Sequence, residues 1–260
     1  MEGSRGLGDV YKRQAQDKKR AKVFTRAIKE ITIAARDAGG DIETNPSLRL
    51  AVQNAKGANM PKDTIERAIK KGVGGEGANL EEITFEGYAS NGIAVFVEAT
   101  TDNNNRTVAS VRSIFNKYGG NLGTNGSLSY LFERKGIFTL KSESIDSDDL
   151  EEVEMELIDF GLEELTPLDD EIIIQTSFDD YGKMLSAFDQ KNWTVNNTEL
   201  QRIPMETTTL PLEDAQSVMK LIDKMEEDED VSAVYHNLEI TEELMQSLSI
   251  SWLGDWTIKI

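Results

Sequence analysis

Residues 210–240 read LPLEDAQSVMKLIDKMEEDEDVSAVYHNLEI, and the fold turns on which sheet the end of this stretch joins. Ala215, Val218, Leu221, Ile222 and Met225 recur at helical spacing over 210–228, and VSAVYHNLEI (231–240) has the composition of a strand. Far upstream, ITFEGY (83–88) and GIAVFVEAT (92–100) read as two strands around the turn Ala89-Ser90-Asn91. In 104–118, Val108, Val111, Ile114 and Phe115 give a helix that Gly119-Gly120 closes, and SLSYLF (127–132) reads as a further strand. That β-β-α-β segment lacks a helix and a strand to cover its sheet, and the pair at 210–240 supplies them. The expectation is a discontinuous middle α+β domain, 80–133 plus 204–240, with 134–203 inserted into it.

The insertion has its own order. KGIFTL (135–140) is a strand, a helix capped by Ser147 follows, and 162–168 and 170–176 are strands joined by an acidic turn. FDDYGKMLSAFDQKN (178–192) is a helix and WTVNNTELQRIP (193–204) a strand. The sequence β-α-β-β-α-β is the ferredoxin-like pattern. At the other end, 15–37 is a helix ended by Ala38-Gly39-Gly40. A second helix starts at Asn45-Pro46, where Asn suits the cap and Pro the first helical position. A third starts near Pro61, with Gly72 as its stop, and GVGGEGAN (72–79) is a hinge. The fold class is α+β: a three-helix bundle with its hinge (15–79), the middle domain, the ferredoxin-like insertion and a C-terminal tail (241–260).

Composition narrows the function. The chain has 260 residues, no cysteine and one histidine, His236. Disulfides, thiolate metal sites and cysteine nucleophiles are therefore excluded, as is a His-based metal cluster. No apolar run approaches the roughly 18 residues of a membrane span. Paired acids such as Asp169-Asp170 and Asp179-Asp180 fall in turns or helix starts, away from any spacing that converges on a pocket. No enzyme motif, cofactor, metal or small-molecule substrate is expected. His236 is read as structural.

Charge is divided unevenly. Residues 1–75 hold 16 Lys+Arg against 9 Asp+Glu, or +7; residues 76–260 hold 12 against 38, or −26; the sum is the net −19. A basic end on an acidic body points to a polyanion partner. At about 100° per residue, Phe24, Ile28, Ile31 and Ala35 share one sector of the first helix, and Lys18, Lys22, Arg26 and Lys29 another almost opposite. With Lys19, and with Arg49, Lys56, Lys70 and Lys71 extending the surface, this stripe is the first candidate for phosphate contact. Its other reading is a solvated helix face. The second candidate is TDNNNRT (101–107), where Asn104, Asn105 and Arg106 stand at a helix start. That stretch reads equally as an N-cap and as a phosphate contact. No zinc finger, basic zipper or RNP aromatic signature reads bases.

AQDKKRAKVFTR, NPSLRLAVQNAKGANMPKDTIERAIKKG, FEGYASNGIAVFVEATTDNNNRTVASVRSIFNKYGGNLGTNGSLSYLF and VYHNLEI together resemble the YebC/PmpR family, over about 15–247. The resemblance implies three domains, a probable transcriptional regulatory role, no catalytic activity and a cytoplasmic location. Mitochondrial relatives are translational activators of a cytochrome oxidase subunit. The expected function is a DNA-binding transcriptional regulator; the alternative is a ribosome- or RNA-associated translation factor that relieves stalled synthesis. The partner is nucleic acid, without membrane, and the oligomeric state is left open. Family members begin with a Gly-His-Ser-Lys-Trp-like segment, where this chain has GSRGLGDVYKRQ. Residues 1–14 are thus read as non-native and as disordered or loosely extended, the alternative being a divergent N-terminal arm. The tail 249–260 lies beyond the family pattern.

Overall fold

The computed structural model describes residues 3–75, 79–145 and 149–248, with side chains from residue 21 onward. Ser147 and the tail 249–260 lie outside the described residues. Three helices come first: α1 (Gly3–Ala38), α2 (Pro46–Gly57) and α3 (Lys62–Val73). The segment 3–14, expected to be disordered or loosely extended, is continuous with α1. It contains no proline, and adding residues to an existing helix avoids the cost of a new nucleus. At the start of α2, the Asn45 side chain accepts from Leu48 N–H at 3.0 Å, as its place before Pro46 predicts. The same amide donates to the carbonyls of Ala34 and Gly39, which ties α2 to the end of α1. Ala27, Ile31, Ala34 and Ala35 of α1 pack with Leu48, Val52 and Ala55 of α2 and with Ile65 and Ala68 of α3.

Gly72 does not stop α3. It is buried inside the helix, one residue before its end. A Cβ there would collide with the Thr32 carbonyl of α1 and come within 2.8 Å of the Ala35 Cβ. The missing side chain therefore sets how closely α3 crosses α1. Helix propensity alone would make Gly72→Ala stabilising by about 0.5–1 kcal/mol. Overpacking reverses the sign, and a net loss of about 1–3 kcal/mol is expected from the denaturant midpoint. An unchanged or raised midpoint would show that the crossing yields at no cost.

The next units are two antiparallel sheets. The first uses β1 (Glu81–Tyr88), β2 (Ala94–Thr101), β3 (Asn121–Leu122) and β8 (Val231–His236), in the order β3-β1-β2-β8. Helices α4 (Asn104–Lys117) and α7 (Leu212–Glu226) supply Val111, Phe115, Val218, Leu221, Ile222 and Met225 to its core. Thus the strand at 231–236 pairs with β2, Val97 opposite Val234. The second sheet uses β4 (Phe132–Lys141), β5 (Leu162–Leu168), β6 (Glu171–Ser177) and β7 (Val195–Pro204), in the order β5-β6-β4-β7. Helices α5 (Leu150–Ile158) and α6 (Tyr181–Lys191) cover it, which is the ferredoxin-like arrangement. α5 is capped by Asp149, whose carboxylate accepts from Glu151 N–H. A short helix, α8 (Glu242–Ser247), follows β8.

SLSYLF is not a strand of the first sheet. Ser129–Leu131 form a 3-10 turn, and Phe132 opens β4. The buried Glu86 carboxylate accepts the backbone N–H groups of Gly126 (2.7 Å) and Leu128. Backbone that would have paired with a neighbouring strand is thus folded around an acid, and Gly126 takes the positive φ (87°) that the turn requires. Leu128 then packs with Phe96, Phe132 and Tyr235 against the sheet face opposite α4 and α7.

The helical unit touches both sheets. On α2, the Asn54 side chain donates to the Thr198 carbonyl (2.7 Å) and accepts from the Thr198 N–H (3.0 Å). Gln53 donates to the Val195 carbonyl. A Cβ on Gly57 would strike the Asn196 carbonyl, so that glycine lets α2 lie against β7. On α1, Arg36 donates to the Leu80 carbonyl at 2.7 Å.

Candidate nucleic-acid interface

The stripe on α1 does not form one open surface. The Lys29 ammonium donates to the carbonyls of Thr100 (2.7 Å) and Glu229 (2.9 Å) and lies 3.4 Å from Asp230 Oδ1. Arg26 is half-buried and bonds Glu30 at 2.8 Å. Burial opposes the Arg26 charge, but the field of Glu30, Glu199 and Tyr235 outweighs it and holds the guanidinium above its ordinary pKa. Lys29 therefore joins α1 to the rest of the molecule, whereas the Arg26 ion pair lies within α1. The Lys29 geometry follows from length: a long side chain leaving a helix face reaches whichever unit packs beside that face. Lys22 is half-buried, and the side chains of Lys18 and Lys19 lie outside the described residues.

Asp230 is the centre of the junction. It is 8% exposed, and accepts from Arg106 Nη2 (2.8 Å), Arg106 Nε (3.2 Å) and Thr107 Oγ1 (2.9 Å). Its own N–H donates to Asp228 at 2.9 Å. Burial pushes its carboxyl up, but the hydrogen bonds from Arg106 and Thr107 and the Lys29 charge prevail and hold it below the usual range. Thr101 completes the cluster through Thr107 Oγ1 (2.8 Å). Nearby, Arg202 bonds Glu98 at 2.8 Å and lies 4.0 Å from the Phe96 ring centre. Tyr235 is pushed well above an ordinary phenol by burial and then by Glu98.

The TDNNNRT segment divides. The Asn103 side chain accepts the Arg106 N–H at 3.1 Å, so the α4 start is capped by its own chain. Arg106 is ion-paired with Asp102 (2.9 Å) and Asp230, with its side chain 54% exposed. Asn104 and Asn105 are exposed. Asp230 is what the sequence reading missed. Its only signal in the sequence is a place in the acidic run Glu226–Asp230. His236 is buried, its Nδ1 accepting the Leu238 N–H at 3.2 Å.

The remaining candidates stay at the surface. Arg49 is exposed and donates to the carbonyls of Ile42 (3.3 Å) and Glu43 (2.7 Å). Lys56, Lys70 and Lys71 are exposed, with no carboxylate partner among the described residues. Lys70 and Lys71 also sit in the last turn of α3, where the helix dipole favours cations. Among the described residues no helix is long and apolar enough to cross a membrane.

A basic helical unit seated on two acidic α+β units defines a three-part α+β protein held together by buried polar junctions. Comparison places that architecture. The chain belongs to the TACO1/YebC family: the profile for the TACO1/YebC N-terminal domain matches residues 11–75, and that for the second and third domains matches 80–238. A "probable transcriptional regulatory protein" of Cytophaga hutchinsonii is 51% identical over 85% of this chain and 92% of its own. One of Porphyromonas gingivalis is 47% identical over 84% and 89%. The crystal structure of a conserved hypothetical protein from Aquifex aeolicus superposes with a TM-score of 0.76 at 42% identity, over 87% of this chain and 93% of that one.

Proposed function

We propose that this regulator-family protein acts as a non-enzymatic, DNA-binding transcriptional regulator that grips the phosphate backbone through its helical unit. The carrying observation is that Lys56, Lys70 and Lys71 are exposed and, among the described residues, without carboxylate partners in a chain with 47 acidic and 28 basic residues. In such an excess of acid, a solvated lysine finds a partner easily, so unpaired cations gathered on the basic unit favour an external anion. Relatives named as regulatory proteins support the same reading. Lysine contacts of this kind set register and affinity and leave sequence unread.

Changing Lys56, Lys70 and Lys71 together to Gln tests it. Binding to duplex DNA should weaken, and the salt slope of log K should become shallower by up to about 2.7 units, or 0.9 per lost contact. Melting temperature should hold, since the three side chains are exposed. Unchanged affinity and slope would overturn the assignment of the helical unit. Retention of single-stranded RNA in preference to duplex DNA would move the protein toward translation.

A further inference from the structure

We infer that the outward face of α4 is a second nucleic-acid contact, with Arg112 and Lys117 on phosphates and Ser113 and Asn116 beside them. The nature of the partner rests on the nucleic-acid reading above; the site is a different one. α4 holds Arg106, Arg112 and Lys117 and no acidic residue, so three of the 12 cations of residues 76–260 fall within 14 residues of a segment that carries 38 acids. Arg106 is consumed by Asp230. Arg112 is exposed and has no hydrogen-bond or ion-pair partner among the described residues. Among the described residues Lys117 has only the ring of Tyr118, 5.5 Å from its ammonium.

The surface is also shaped. Ala109, Arg112, Ser113, Asn116 and Lys117 line a shallow open groove of about 570 Å³. Ala109 contributes only a methyl group among the longer polar side chains. Along the helix, 109, 112 and 116 follow at i, i+3 and i+7, and so lie in one row about 10 Å long. The opposite side of α4 carries Val111 and Phe115 into the core, which fixes the row toward solvent. Phosphate contacts in nucleic-acid complexes draw on Arg and Lys and on Ser and Asn side chains, and an arginine fork engages phosphate bidentately. An acidic peptide would want an apolar anchor, and the groove offers only Ala109. Elsewhere the −26 body repels a polyanion, so an acid-free helix face is where a bound strand can cross it.

The test is Arg112→Gln/Lys117→Gln, measured beside Lys56→Gln/Lys70→Gln/Lys71→Gln and the unchanged chain, on a short random-sequence single-stranded RNA and on duplex DNA. The α4 variant should bind more weakly at unchanged melting temperature. Its salt slope should fall by about 1.4 units on the single strand or about 1.8 on the duplex, whichever polymer it grips. Arg112→Lys should keep the slope and lose part of the affinity, because charge survives and the fork does not. An α4 variant equal to the unchanged chain, beside a weakened helical-unit variant, overturns the inference and leaves the proposed function standing. The reverse pattern upholds the inference and removes the helical unit from the interface. No binding of either polymer by the unchanged chain overturns both.

Discussion

Asp230→Ala is expected to lower the unfolding free energy by about 3–5 kcal/mol, the range for breaking a buried charge cluster from one side. The change removes the acceptor of Arg106, Thr107 and Lys29 at once. Lys29 would keep the Thr100 and Glu229 carbonyls, while Thr107, fully buried, would keep Thr101 Oγ1 and the Asn103 carbonyl. Asp230→Asn retains acceptor capacity without charge and should cost less, about 1.5–3 kcal/mol. Denaturant titration reads both. A loss under about 1 kcal/mol, the size of one ordinary hydrogen bond, would show that the carbonyl contacts alone hold α1 in place. The same carboxylate sets a pH dependence. Its folded pKa lies below the unfolded value near 3.8, so its contribution is complete above that value and is lost as pH falls through the folded pKa. In Asp230→Asn the acid limb of the stability curve should flatten below the ordinary carboxylate range.

Glu86→Ala is the second large effect, about 2–6 kcal/mol. It strands two amide N–H groups, those of Gly126 and Leu128, at about 1–3 kcal/mol each. Glu86 is 3% exposed, so water cannot readily replace the carboxylate. Leu128 is fully buried among Phe96, Phe132 and Tyr235, and a loosened loop would disturb that packing too. Glu86→Gln keeps one acceptor oxygen and turns an amide NH2 toward a donor, so it should recover about half of the loss. Melting curves of the two variants decide the matter: an equal loss in both would point to the negative charge itself, and no loss in either would show the loop to be set by its glycines.

Local features were legible in the sequence and distant ones were not. Asn45-Pro46 announced the start of α2 because a cap and its helix are neighbours. The order of elements and the helical spacing of 215–225 led to the pairing of β8 with β2, since an uncovered sheet face demands apolar partners. The tie of Lys29 to Asp230 was hidden for the opposite reason: a periodic stripe cannot show that an acid 201 residues away faces it. Gly72 looked like a stop because glycine after two lysines usually is one; only the approach of α1 gives it another use. In SLSYLF a strand would put Leu128, Tyr130 and Phe132 on one face; the 3-10 turn at 129–131 breaks that alternation, leaving Leu128 and Phe132 buried and Tyr130 68% exposed. At the interface, exposure separated Lys56, Lys70 and Lys71 from Arg26 and Lys29, and ion pairing separated them from Arg106, distinctions that composition does not contain.

Strand β7 ends its sheet, and a sheet edge offers unpaired N–H and C=O groups to any chain that can add a strand. Asn54 meets that hazard with one side chain. Its amide is a peptide group in miniature, giving Thr198 both the donor and the acceptor that a neighbouring strand would give. Gln53 gives the Val195 carbonyl a donor alone. The helical unit is therefore a guard against self-association as well as a carrier of charge. A motion that lifted α2 away to reach a partner would uncover a strand ready to recruit another copy of the protein.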